Sequence, residues 1–285
     1  MFSIQDARLG ELHAVELHDL STQARVVLVP SRGALVTSFR ALGREWLYLD
    51  EATLFDPAAN VRGGIPVLFP SPGKLENDQY AAPGTRMKQH GFARNLAFVE
   101  LERGTSGGAF IELELRDNET TREAFPFSFQ LRLRFRLSGT TLEIRAEVLN
   151  SGSERLPFAL GYHPYFQVPA QDKPHTKIPT QATRAWDNVA KREVGLEVIR
   201  FGDSELDLHL LDHNSNGASL ETPHGSVQLG GHFTRWVVWS LPNRDFVCLE
   251  PWTAPANALN SGEGLLALEP GESPCLAVQI ALSAG

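Results

Sequence analysis

Two ionisable side chains stand at the ends of largely apolar stretches, and one of them, Glu250, stands where the local pattern asks for an apolar residue. His163 closes the stretch Leu156-Pro157-Phe158-Ala159-Leu160-Gly161-Tyr162-His163, followed by Pro164-Tyr165-Phe166. Read as a strand, alternation places His163 on the face of Ala159 and Gly161, whose small side chains leave a hollow beneath it. An imidazole titrates near neutrality, so it can give or take a proton there. The plainer alternative is a strand-end histidine bonded to a loop carbonyl. Glu250 ends the run Phe246-Val247-Cys248-Leu249-Glu250 and shares a face with Phe246 and Cys248. A carboxylate in that position either emerges from the core or sits in an apolar pocket with raised proton affinity, which makes a useful general base. Pro251 is expected to end the strand, and Trp252 to wall a sugar site.

Arg62 precedes Gly63-Gly64-Ile65-Pro66, and Gln89-His90-Gly91-Phe92-Ala93-Arg94 follows after a turn-rich stretch. The glycines permit close backbone approach to a ligand. Two arginines and a histidine suit an anion or several hydroxyls, although pairing with surface carboxylates is equally open. His209 and His213 have the four-residue spacing of a helical metal pair, but their surroundings support no helix and no metal site is expected.

The elements that must position these groups read as strands. Odd residues from Phe127 to Leu137 are apolar and even ones polar. After Ser138-Gly139 the phase reverses, with Leu142, Ile144, Ala146 and Val148 apolar. A two-residue turn at Ser138-Gly139 sets Phe135 against Leu142 and Arg134 against Glu143. Further β-like stretches lie near 12–19, 23–29, 34–40, 97–103, 108–116, 155–162, 226–230, 235–240, 245–250 and 272–282. Asn118 to Ala124 suits one helical turn, and 169–192 reads as a long surface connection. Many strands and few helices imply an all-β chain, a large antiparallel β-sandwich or barrel, in one domain over 1–285.

With 285 residues the chain can bury a sizeable core. Its formal charge of −8 disfavours a nucleic-acid partner. Two cysteines are too few for a disulfide framework. No apolar run approaches the length of a membrane span, and no secretory leader is visible, so a soluble, cytoplasmic protein is expected. Oligomeric state is not readable.

Taken in order, Arg62-Gly63-Gly64-Ile65-Pro66, Gln89-His90-Gly91-Phe92-Ala93-Arg94-Asn95, His163-Pro164-Tyr165-Phe166 and Cys248-Leu249-Glu250-Pro251-Trp252 resemble the aldose 1-epimerase (galactose mutarotase-like) superfamily, and within it the hexose-6-phosphate epimerase-like branch. The resemblance implies a β-sandwich of the supersandwich type and a reaction, the interconversion of α and β anomers of an aldose. It implies that Glu250 removes the anomeric hydroxyl proton and His163 protonates the ring oxygen, with no cofactor. It implies that Arg62, His90 and Arg94 line the substrate site, with arginines holding a 6-phosphate. Asp207, in Glu205-Leu206-Asp207, matches an acidic position that binds sugar hydroxyls, with Asp187 as a fallback. Ser71-Pro72-Gly73-Lys74-Leu75-Glu76 departs from the Gln-Phe-Gly found in the phosphate branch, which bears on substrate choice. The partner expected is a sugar or sugar phosphate. A free-aldose epimerase, a non-catalytic carbohydrate-binding protein and an accessory domain of a polysaccharide lyase or hydrolase are the other classes in view.

Overall fold

In the computed structural model, which describes residues 1–80, 85–202 and 204–285, antiparallel sheets dominate, as in a galactose mutarotase-like β-sandwich. The first five strands, Phe2–Leu9, Leu12–Asp19, Ala24–Val29, Leu35–Ala41 and Arg44–Glu45, form a meander in chain order. A seven-stranded sheet runs in the order Gly217–Thr222, Gly225–Gly231, Cys275–Ala284, Thr141–Asn150, Phe129–Ser138, Ala109–Arg116, Val99–Gly104. A third sheet runs Arg192–Gly195, Arg184–Asp187, Leu206–Leu210, Arg235–Ser240, Phe246–Trp252, Gly161–Tyr162, Val67–Leu68, with Tyr165–Gln167 also paired to Phe246–Trp252.

At the centre of the seven-stranded sheet, Phe129, Leu131, Leu133, Phe135 and Leu137 are fully buried, as are Leu142, Ile144, Ala146 and Val148 on the next strand. The intervening arginines face outward into carboxylates: Arg132 to Glu114 at 2.9 Å, Arg134 to Glu112 at 3.3 Å, Arg136 to Glu143 at 2.8 Å. The guanidinium side of each pair is open to solvent, which limits such a pair to about 1 kcal/mol, so the apolar face carries most of the stability.

The hairpin forms with a register two residues away from the one expected. Leu137 faces Leu142 and Arg136 faces Glu143, while Arg134 lies opposite Arg145. The loop is Gly139-Thr140, with Gly139 at φ 61°. Its N–H donates to Asp19 at 2.8 Å, and its carbonyl accepts from Thr22 at 3.1 Å. These contacts from the five-stranded sheet choose the turn. A slip of two keeps every side chain on its face, which is why the pattern could not settle it.

Other differences have equally local causes. The 155–162 stretch is not one strand. Leu156–Phe158 pairs with Leu266–Leu268, and Gly161–Tyr162 pairs with the third sheet. Between them Ala159 N–H donates to Pro70 O, and Leu160 N–H to Thr253 Oγ1. Pro251 does not end its strand; it lies opposite Trp236, and pairing runs on to Trp252. The 169–192 connection contains a 3-10 turn at Ala170–His175 and the strand Arg184–Asp187, an element too short for its alternation to stand out. Phe2–Leu9, Leu206–Leu210 and Gly217–Thr222 are strands the sequence reading did not name. The expected helical turn is present as Glu119–Ala124, capped reciprocally by Asn118 and Thr121. Among the described residues no helix is long and apolar enough to cross a membrane.

Candidate active site

Alternation sorts the third sheet into two faces. Ala185, Leu208, Leu210, Val238, Val247 and Leu249 enter the main core. Asp207, His209, Val237, Trp239, Glu250 and Trp252 point the other way and line a cavity of about 860 Å³. Its opposite wall comes from Arg62, the segment around 86–90, Arg94, His163 and Tyr165. All six residues singled out in the sequence therefore meet in one place, from segments that are far apart along the chain. Asp187 does not line it: its carboxylate accepts from the backbone N–H groups of Val189 and Ala190 and shapes the hairpin turn.

Glu250 and His163 form the floor. Both are nearly inaccessible, and His163 Nε2 lies 3.3 Å from Glu250 Oε1. The other carboxylate oxygen accepts the Trp252 indole N–H at 3.1 Å. Burial, and then the charge of Asp207, push the Glu250 carboxyl well above the ordinary carboxylate range. Burial, and then the nearby His90 and Arg94, push His163 well below the usual imidazole range. Both groups favour their uncharged forms, so the pair retains a proton that either partner can hold. The imidazole is stacked on Tyr165, with centroids 4.6 Å apart and planes 10° apart, and the edges of His90 and Trp239 meet it at 5.3 and 5.7 Å.

The hollow expected under His163 is absent. Ala159 packs with Ala254 and Ala258, and Gly161 faces Trp252. A Cβ on Gly161 would lie 2.7 Å from Trp252 Cδ1 and 2.8 Å from Pro72 Cβ, so this glycine admits the indole rather than a ligand. Gly64 likewise serves the scaffold. At φ 66° its missing Cβ would stand 2.2 Å from Val36 O, a protein backbone and not a substrate.

His90 occupies a left-handed position, φ 71°, and its Nδ1–H donates to Pro72 O. That bond fixes the tautomer and leaves the Nε2 lone pair as an acceptor. Burial and Arg94 pull its proton affinity down to about 4, so the ring is neutral at working pH. Arg94 is half-buried in the 3-10 turn Ala93–Asn95 and Arg62 is exposed at the rim. Among the described residues neither guanidinium forms a salt bridge with a carboxylate, although acidic residues outnumber basic ones 34 to 26. Asp207 is held at both oxygens: Asn188 Nδ2 donates at 2.7 Å to one, and His209 Nε2 lies 3.5 Å from the other. Its carboxyl stays below the usual range because these contacts outweigh burial.

Sequence reasoning passed over Asn188 and Trp239, gave Tyr165 no role beyond its place in the His163-Pro164-Tyr165-Phe166 motif, and assessed His209 only as a metal ligand. Asp207 and His209 are two apart on one strand face, a periodicity that could have flagged them together. His213 goes elsewhere, bonding Thr180 and the Gly217 carbonyl. Among the described residues no group of three or more metal-ligating side chains occurs.

The aldose 1-epimerase family model matches residues 16–280 of this sequence. The chain belongs to the aldose 1-epimerase family. Membership of that family supports an isomerase of the carbohydrate epimerase type, with a sugar or sugar phosphate as substrate. A protein from Cenchrus ciliaris named "Putative glucose-6-phosphate 1-epimerase" is 28% identical over 80% of this chain and 67% of its own length. A protein of the same name from Salmonella typhimurium is 31% identical over 58% of this chain and 52% of its own. The chain thus spans about half to two thirds of the length of these curated relatives. Among solved structures, the Slr1438 protein from Synechocystis sp. PCC 6803 is 36% identical with a TM-score of 0.92, covering 98% of both chains. Galactose 1-epimerase from Lactobacillus acidophilus shares the fold at 15% identity, with a TM-score of 0.73 over 100% of this chain and 99% of its own.

Proposed function

We propose that this epimerase interconverts the α and β anomers of a hexose 6-phosphate by acid–base ring opening. In the form in which the pair's proton sits on His163, Glu250 takes the proton from the anomeric hydroxyl as the C1–ring-oxygen bond breaks, and His163 delivers its proton to the ring oxygen. Rotation about C1–C2 turns the aldehyde, and closure on its other face returns both protons. Atoms and charge balance without a further reactant. The observation that carries this reading is the 3.3 Å approach of His163 to Glu250 on the floor of a cavity large enough to admit a hexose phosphate. Positioned proton transfers of this kind contribute about 10² to 10⁴ in rate.

His90, through its free Nε2, and Asp207 bind hydroxyls. Arg62 and Arg94, with no carboxylate partner among the described residues, hold the 6-phosphate. A free aldose is the second reading, favoured by the departure at Ser71–Glu76. Magnetization-exchange NMR on glucose 6-phosphate, glucose and galactose separates them. Faster exchange for the phosphate ester is expected, lost on raising salt and weakened about 10- to 100-fold in kcat/KM by Arg94→Ala. Equal rates for phosphorylated and free sugars overturn the phosphate assignment, and no exchange on any sugar overturns catalysis in favour of binding alone.

A further inference from the structure

Trp252 is more than a wall of the cavity. It lies two residues after Glu250 on the same strand face, and its Nε1–H donates to Glu250 Oε2 at 3.1 Å, the oxygen turned away from His163. The indole is only 3% exposed and packs with Leu68 and Val237. The His209 ring meets it edge-on at 5.2 Å and the His90 ring at 6.3 Å. On its far side Gly161 sits directly opposite in register, and any Cβ there would collide with Cδ1.

A buried carboxylate with one donor fixed on one oxygen presents its other oxygen in one direction only. We propose that Trp252, admitted by Gly161 and braced by His209, is the positioning residue of the general base: its N–H aims Glu250 Oε1 at His163 and the substrate and steadies the carboxylate once the proton has left. The proposal rests on Glu250 being the base. Its neighbours explain why such a donor is needed. The ionisable groups facing Glu250 are His163 and Tyr165 from the 161–167 segment, Asp207 from Leu206–Leu210, Arg94 from its 3-10 turn, and Cys248 on its own strand. Burial and Asp207 favour the protonated acid; Trp252 and Arg94 oppose them. Within that set the indole is the one group hydrogen-bonded to Oε2.

Trp252→Phe keeps an aromatic ring and removes the donor. Anomer exchange is measured across pH. The expected result is a kcat about 10- to 100-fold lower, the effect of losing a hydrogen bond to a charged group. KM should stay within about three-fold, and the limb reporting Glu250 ionisation should move to higher pH by about one to two units. A merely structural tryptophan would not move that limb. Wild-type kcat, or a loss with an unmoved limb, overturns the proposal. Should the variant fail to fold, the wild-type indole N–H resonance of Trp252 supplies a second reading. Its chemical shift must titrate with the activity limb and lose that midpoint in Glu250→Gln; a pH-independent shift overturns the proposal. Full activity in Glu250→Gln sinks the base assignment itself. An inactive Glu250→Gln beside a normal Trp252→Phe sinks only the role of the indole.

Discussion

The strands Phe129–Ser138 and Phe246–Trp252 are central members of their sheets, yet they are built on opposite principles. In the first, burial alternates strictly, with apolar side chains in the core and arginines in water. In the second every residue is buried. One face of it feeds the core through Val247 and Leu249, and the other is roofed by Tyr165, Tyr48 and the cavity walls. A strand with one wet face advertises its orientation in its sequence. A strand covered on both faces does not, and only there can a carboxylate be held at raised proton affinity. Stability is concentrated in the first strand and chemistry in the second, so substitutions should separate the two.

The largest separation is expected from Glu250→Gln. Exchange should fall by about 10² to 10⁴ while the fold persists, read by NMR exchange and by circular dichroism. The stability consequence has a definite sign. The fold raises the proton affinity of Glu250, so its contribution is fully present below the unfolded carboxylate value of 4.5 and is lost as pH rises through the folded value. As pH rises above 4.5 the variant should therefore melt no lower than the wild type, with the difference growing in its favour until the folded value is passed. His163 and His90 work the other way. Their affinities are lowered, so their contribution is present above 6.5 and is lost as pH falls, for His90 through about 4. Acid destabilisation over that interval should persist in Glu250→Gln. A variant that melts lower at pH 8 would contradict the burial argument.

The mirror experiment is Phe135→Ala. Removing a fully buried ring from the alternating strand should cost about 3 to 5 kcal/mol in denaturant unfolding. The exchange rate of the protein that remains folded should be unchanged. Loss of activity in that fraction would show that the two regions are coupled.

The smallest effect tests the register. Arg136→Ala removes the 2.8 Å pair with Glu143 and should cost no more than about 1 kcal/mol. In a double-mutant cycle Arg136 should couple to Glu143 and Arg134 should not. Coupling of Arg134 instead would restore the register expected from the sequence.

Much of the site was legible because its residues break local rules. Glu250 occupies an apolar position, and His163 closes a buried run; both proved to lie on the cavity floor. The reason offered for His163 was wrong, since Gly161 opens space for Trp252 and not for a ligand. Asn188 gave no local sign, for an amide after a short strand is ordinary in sequence, and Tyr165 was visible only as part of the motif His163-Pro164-Tyr165-Phe166, with no role attached. The hairpin faces were legible from period two, but its register was not, because the contacts that choose the turn come from Asp19 and Thr22, over a hundred residues earlier.

The amino-acid order by itself determined which faces of the strands are apolar, near which residues the chain turns, and which segments carry the family's pattern. Those are local properties, set by alternation and turn chemistry within a few residues. Only the tertiary structure decided that His163 and Glu250 approach to 3.3 Å, that Asp207 and not Asp187 faces the cavity, and that Trp252 reaches back to the carboxylate. Such contacts depend on strand pairing and on what covers each sheet face. They arise from residues distant in sequence, and the proton affinities that make them useful exist only once water has been excluded.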